Sequence, residues 1–165
     1  MTAMSLLEHY AQGQRIFELV DLNKEDLSGA DIPNITFKHS ELNGTIFKEA
    51  NVSKIIFKGV ESRGANFEGV DLTDAELDHH FWHVNCKEAN FSKVNFSEKN
   101  VYKTDFSNCN LQHTKWDGTN IADCDFEGAD VSHADFRYVK HLQHAKIDRI
   151  ARQEGTKWPA ETPSE

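Results

Sequence analysis

Read from Leu22, every fifth residue of this chain is apolar: Leu22, Leu27, Ile32, Phe37, Leu42, Phe47, Val52, Phe57, Phe67, Leu72 and Leu77, with Ser62 the one polar member. The series resumes one residue out of phase at Cys86 and runs through Phe91, Phe96, Val101, Phe106, Leu111, Trp116, Ile121, Phe126 and Val131 to Phe136. Ten of the eleven phenylalanines lie on this clock, counting Phe17 ahead of it. A five-residue period matches neither the 3.6-residue face of a helix nor the two-residue alternation of a strand. It predicts a solenoid, in which one small unit stacks on copies of itself.

Two further columns keep the same phase. Two places before the clocked residue, here called the centre, stand mostly small residues such as Ala30, Ala50, Ala65, Ala75, Ala89, Cys109, Cys124, Ala129 and Ala134, with Thr45, Thr104, Thr114 and Thr119. Between the two columns the residue is usually Asp or Asn, which predicts large-in, small-in and polar-out in fixed order. Seven of the nine glycines lie two places after a centre, where a chain turning a corner every five residues needs positive φ. Each unit is therefore a short extended piece followed by a turn.

Ala30-Asp31-Ile32, Ala65-Asn66-Phe67, Ala89-Asn90-Phe91 and Ala129-Asp130-Val131 carry an A-(D/N)-(L/F)-x-x signature. Over roughly residues 15 to 141 the chain closely resembles the pentapeptide-repeat family. The resemblance implies an all-β solenoid, a right-handed quadrilateral β-helix in which four repeats make one square coil of about 20 residues. About six coils at a strand spacing of roughly 4.8 Å make a rod of about 30 Å. Tyr10-x-x-Gly13-x-Arg15-x-Phe17 also looks like the lead-in of many bacterial members, cyanobacterial ones especially.

Sorting centres by a 20-residue spacing puts the aromatics on two opposite walls and the aliphatics on the other two, provided that one residue is missing between Leu77 and Cys86. A one-residue register slip at 78–86 is expected, with either Phe81 or Trp82 as the centre there. Solenoid ends need covers. Ser5-x-x-Glu8 reads as a capping box opening a helix that closes near Gly13, so residues 1–14 are expected to form an N-terminal capping helix. Residues 15–141 form the repeat body, and 142–154 are expected to form a C-terminal capping helix, because Val139, Leu142, Ala145, Ile147, Ile150 and Ala151 recur at helical spacing. Ala145-Lys146-Ile147 also fits one more repeat. Residues 155–165 are expected to be a loose tail.

Chemistry enters only at the margins. Without an apolar stretch near 18 residues or a basic-plus-apolar leader at Met1, neither membrane insertion nor export is expected, and the cytoplasm is the expected location. Cys86, Cys109 and Cys124 read as small buried hydrophobes, not metal ligands. His79, His80 and His83 are the nearest approach to a metal constellation, and a polar bulge at the slip explains them equally well. His113 and His133 should lie about 5 Å apart on one corner, one coil apart. A rod packed to its axis offers no concavity where a nucleophile, base and oxyanion hole could converge, so no enzyme activity and no cofactor are expected.

Recognition then falls to the surface. The net charge is −9, which disfavours direct nucleic-acid binding. Asp21, Glu41 and Glu61 should stack on one wall and Asp105 with Asp125 on another, while Ile46 and Ile56 replace the outward polar residue. These seven are the candidate partner-binding residues of a rigid protein-interaction rod with an unidentified protein partner, possible self-association through a terminal cap, and a regulatory role. The alternative implied by the resemblance is an acidic DNA mimic that binds DNA gyrase or another type II topoisomerase, as the quinolone-resistance members of the family do.

Overall fold

The computed structural model describes residues 1–160. The chain winds as the expected four-sided β-helix. On the wall that carries Phe17, strands β1 (Ile16–Glu18), β2 (Thr36–Lys38), β3 (Ile56–Lys58) and β4 (Glu76–Asp78) form a parallel sheet with Phe17, Phe37, Phe57 and Leu77 in register. Single parallel bridges continue the same 20-residue register on the Leu22, Leu27 and Ile32 walls. The Leu27 wall has seven rungs, at Asp26, Ile46, Asn66, Asn85, Asp105, Asp125 and Lys146, one more than the six coils expected.

The interior is filled by the centres. All eleven phenylalanines and Trp116 are buried, with exposures of 0–1%. Along the rod the rings stack near-parallel: Phe47 on Phe67 at 5.0 Å, Phe106 on Phe126 at 5.3 Å, and Phe96 on Trp116 at 4.2 Å. Across the square they meet edge to face, as Phe96 meets Phe106 at 5.8 Å. Both geometries are favoured by the ring quadrupole. Most polar atoms of the small column are satisfied on the backbone of the previous coil; Thr114, which donates to the Leu111 carbonyl in its own coil, is an exception. Thr45 Oγ1 donates to the Leu22 carbonyl (2.8 Å), Thr119 Oγ1 to that of Phe96 (2.7 Å), and Cys109 Sγ to that of Cys86 (2.8 Å).

Corners take the left-handed conformation as predicted, yet glycine is not required at most of them. Lys24, Glu49, Lys54, Glu88, Lys93, Glu98 and Lys103 hold φ between 48° and 66°. Ladder bonds over-determine each corner; the Lys24 N–H, for example, donates to the Asn43 carbonyl at 2.9 Å. Glycine is needed where the preceding coil crowds in: a Cβ on Gly59 would stand 2.8 Å from His39 Nδ1.

Both ends depart from the expectation in detail. Helix α1 (Ala3–Ala11) does cap the first coil, with Leu6 buried and the Tyr10 hydroxyl donating to the Pro33 carbonyl at 2.8 Å. Its N-cap is Thr2, whose side chain accepts from the Ser5 N–H, so Ser5 lies inside the helix and does not head a capping box. At the other end the expected helix over 142–154 is absent. A three-residue 3-10 turn (Leu142–His144) absorbs an insertion, and the winding then continues through bridges Asp125↔Lys146, Asp130↔Arg152 and Asp135↔Lys157. Ala145 and Ile147 act as small residue and centre of a further repeat, because the Lys146 N–H and carbonyl are both held by the coil above, at Cys124 and Phe126. The expected loose tail is wound as far as Trp158, which stacks on Phe136 at 5.0 Å; the remainder of that expectation, 161–165, lies outside the described residues.

Candidate functional site

The register slip lies between Leu77 and Phe81, and the residue it omits is the left-handed corner. Positive φ occurs at Asp74 (56°) and next at His83 (57°), with none between. Phe81, not Trp82, is the centre: it is buried and pairs with Val101, where β5 (Phe81–Trp82) meets β6 (Val101–Tyr102). With only four residues to span the corner, His79 falls into the inward column held elsewhere mostly by Ala, Val, Thr, Ile or Cys.

The shortened corner opens the two walls it joins. On the Phe17 wall, β4 has no bridge to the residues below it, and pairing resumes with Asn95↔Lys115. On the Leu22 wall the bridges run Asp21↔Glu41↔Glu61 and stop; the next coil is held by one bond, from the Gly64 N–H to the Trp82 carbonyl at 3.0 Å. The Leu27 and Ile32 walls stay closed through Asn66↔Asn85 and Asp71↔Asn90. A residue missing from one corner is thus absorbed there, and two ladders survive.

Each opened wall carries a groove. That on the Phe17 wall, about 380 Å³, is lined by Lys58, Lys93 and Lys99 against Asp74, Glu76 and Asp78, with Lys99 Nζ 3.1 Å from Asp78 Oδ1. That on the Leu22 wall, about 470 Å³, is lined by Asn43, Val60, Glu61, Ser62, Arg63, His80 and Trp82. Buried between them, His79 packs edge-on to Phe57 at 4.9 Å and against Phe81 at 4.5 Å, and neither ring nitrogen has a partner. Burial, aided by the neighbouring His80 and Lys99 charges, pushes its pKa down to about 3, so the ring is neutral. Among the described residues Ser62 Oγ is the other buried side-chain polar atom without a partner, because a centre faces rings and methyls where the small column faces carbonyls.

The three slip histidines are therefore not brought together. His79 points inward, His80 lies on the wall with Nδ1 accepting the Asn100 N–H at 2.9 Å, and His83 stands at the corner against Tyr102. Among the described residues no group of three or more His, Cys, Asp or Glu side chains is arranged to hold a metal ion. Nor is any described helix long and apolar enough to cross a membrane.

Residues 26–59 and 104–137, on either side of the slip, match the family model described as pentapeptide repeats, in eight copies. The chain is a pentapeptide-repeat protein. No curated protein matches it. Among solved structures it is similar to HetL, a pentapeptide repeat protein involved in heterocyst differentiation regulation from the cyanobacterium Nostoc sp. strain PCC 7120, at 22% identity over 84% of this chain and 70% of that one, TM-score 0.47. It is also similar to the full-length plasmid-mediated fluoroquinolone resistance protein QnrB1, at 17% identity, 87% and 84% coverage and TM-score 0.38. A third is Rfr23 from the cyanobacterium Cyanothece 51142, at 14% identity, 94% and 99% coverage and TM-score 0.37.

The pentapeptide repeats sort the remaining candidates by wall. Asp21, Glu41 and Glu61 are register neighbours on the Leu22 wall, and Asp105 pairs in register with Asp125 on the Leu27 wall. The second column is half neutralised from below, since Lys146 Nζ lies 2.7 Å from Asp125. Burial raises the Asp125 carboxyl and Lys146 lowers it, with a net fall below its ordinary value. Ile46 and Ile56 are half-buried and stand on different walls, so they form no patch. His113 and His133 stack at 5.0 Å, as their spacing implies. The three cysteines are buried and free, and burial pushes their thiols up, that of Cys124 to about 12, which leaves them poor nucleophiles. Sequence reasoning passed over Arg63 and the outward role of Trp82; the signal that points to them is the coincidence of a polar centre, Ser62, with the slip one coil below.

Proposed function

We propose that this pentapeptide-repeat chain is a non-enzymatic rod that recognises a protein partner through its outer walls, with a regulatory role. The observation that carries the reading is the filled interior: buried rings pack along the axis from Phe17 to Phe136, which Trp158 covers, so the concave surfaces described above are wall grooves and not a core cavity. Flat parallel walls with fixed side-chain spacing suit recognition of another surface. The test is a pull-down from native lysate with the wild-type chain and with two charge-reversed variants, one at Asp21, Glu41 and Glu61 and one at Asp105 and Asp125. The expected result is a protein retained by the wild type and lost in one variant, and retention of no protein in any arm overturns it. Self-association belongs to the same reading, supported by the partly exposed Val139, Leu142, Ala145 and Ile147 at the C-terminal end, and sedimentation velocity tests it.

A second reading is the acidic DNA mimic directed at a type II topoisomerase. It is favoured by the Asp21–Glu41–Glu61 column, whose members are in no salt bridge among the described residues. Carboxylates at coil spacing resemble phosphate rows in charge density. A gyrase supercoiling assay with added protein decides: inhibition or protection supports mimicry, and neither at micromolar concentration removes it.

A further inference from the structure

The groove on the Leu22 wall combines features that the other wall grooves lack. Trp82 stands at its edge with 45% of its surface exposed. Ser62 in its lining is 1% exposed and its hydroxyl has no partner. Glu61, also in the lining, is in no salt bridge among the described residues and ends the acidic column that begins at Asp21. Three tyrosines each carry a cation of the chain itself over the ring: Arg15 over Tyr10 at 3.8 Å, Lys103 over Tyr102 at 5.1 Å and Arg137 over Tyr138 at 5.6 Å. Tryptophan holds a cation best of all rings, yet none of the described residues places one over Trp82.

We propose that this groove binds an arginine side chain presented by a partner protein. A guanidinium stacks flat on an indole and offers five donors in a fixed fork. Trp82 supplies the face and the Glu61 carboxylate takes a charge-assisted pair. A lysine ammonium reaches the same carboxylate but stacks less well. Arg63, exposed in the same lining, is the like charge that an incoming cation meets, and its exposure lets it swing to solvent. Trp and Arg are also the residue types that dominate interface energetics when one side docks into a pocket of the other. The inference rests on the partner-protein reading above and adds to it a place and a side chain.

The experiment titrates the tripeptide Ac-Gly-Arg-Gly-NH2 into the full chain and follows the indole N–H resonance of Trp82, assigned by its loss in Trp82→Phe. A saturable shift is expected. Glu61→Gln should weaken binding by about two- to fivefold and Arg63→Ala should strengthen it, while Asp105→Asn, an equal charge change on another wall, leaves it unaltered. All three substitutions are on wall positions, outside the packed core. Three results overturn the inference: a shift no larger than that caused by Ac-Gly-Gln-Gly-NH2, equal weakening by Glu61→Gln and Asp105→Asn, or opposite signs for Glu61→Gln and Arg63→Ala to those stated, which mark an anionic ligand. A partner protein retained equally by wild type and Trp82→Ala sinks the groove and spares the interaction reading; a chain that binds the tripeptide but retains no protein does the reverse.

Discussion

The corner from Trp116 to Ile121 uses five residues and the corner from Leu77 to Phe81 uses four, and almost everything unusual in this molecule follows from that difference. In the first, Gly118 takes φ 67°, Thr119 turns inward with its hydroxyl on the Phe96 carbonyl at 2.7 Å, and Asn120 bridges to Asn100 and Lys140. In the second, no residue is left-handed, His79 turns inward with both nitrogens unpartnered, and the ladders on both adjoining walls are open. The left-handed residue thus does more than reverse the chain. It supplies the length that brings the outward residue into register and the small residue under a carbonyl, and without it both functions fail together.

The largest blow to the regular half is loss of a stacked centre. Phe106 is fully buried, stacked on Phe126 at 5.3 Å and edge-on to Trp116 at 5.6 Å. Phe106→Ala should cost about 3–5 kcal/mol, read from the shift in urea midpoint at constant slope. A loss below about 1 kcal/mol would show that the column relaxes around the gap and that its rings are not rigidly packed.

The next effect belongs to the short corner and depends on pH. His79 has a folded pKa of about 3 against an unfolded value near 6.5, so between these values the unfolded chain binds a proton that the folded chain does not. The contribution of this group is nearly constant well above pH 6.5, and stability falls as pH drops through that value. From pH 6.5, where the unfolded ring is already half protonated, to pH 4.5 the loss is about 2.3 kcal/mol from this group. Urea melts of wild type and His79→Leu at both pH values isolate it. The wild type should lose more than the variant by roughly that amount, and parallel losses would mean that the ring is hydrated and not buried as described.

This contrast also marks what could be read from residues alone. The five-residue clock, the small column and the polar-out residue recur throughout the chain, so walls, core and corners were legible, and stacking of Phe47 on Phe67 followed from a spacing of 20. A single omission is not repeated, and nothing in Asp78-His79-His80-Phe81-Trp82 says which residue is missing, so Phe81 and Trp82 competed for one place and the inward turn of His79 went unseen. The candidate groove inherits that ambiguity, since Trp82 faces outward only once Phe81 is the centre. The C-terminal end misled for a different reason. Ala145, Ile147 and Ile150 fit a helix as well as a repeat with an insertion, and the decision rests on backbone bonds offered by the coil above, which local spacing does not encode.

The smallest effect gives the sharpest test of the comparison, because it asks whether position alone sets the worth of a buried hydroxyl. Thr119 in the regular corner has a carbonyl above it; Ser62, a centre facing the short corner, has none. Thr119→Val removes the shorter of the two hydrogen bonds to the Phe96 carbonyl, which keeps the Lys99 N–H at 3.2 Å, and should cost about 1 kcal/mol. Ser62→Ala removes a desolvated group that gained nothing in return, which should stabilise the fold by about 1 kcal/mol, less the slight dispersion attraction of the oxygen for its neighbours. Opposite signs in thermal melts of the two variants are the expected outcome. If Ser62→Ala destabilises instead, the hydroxyl has a partner, such as an ordered water in the Leu22-wall groove, and the groove is wetter at its floor than the packing around Ser62 implies.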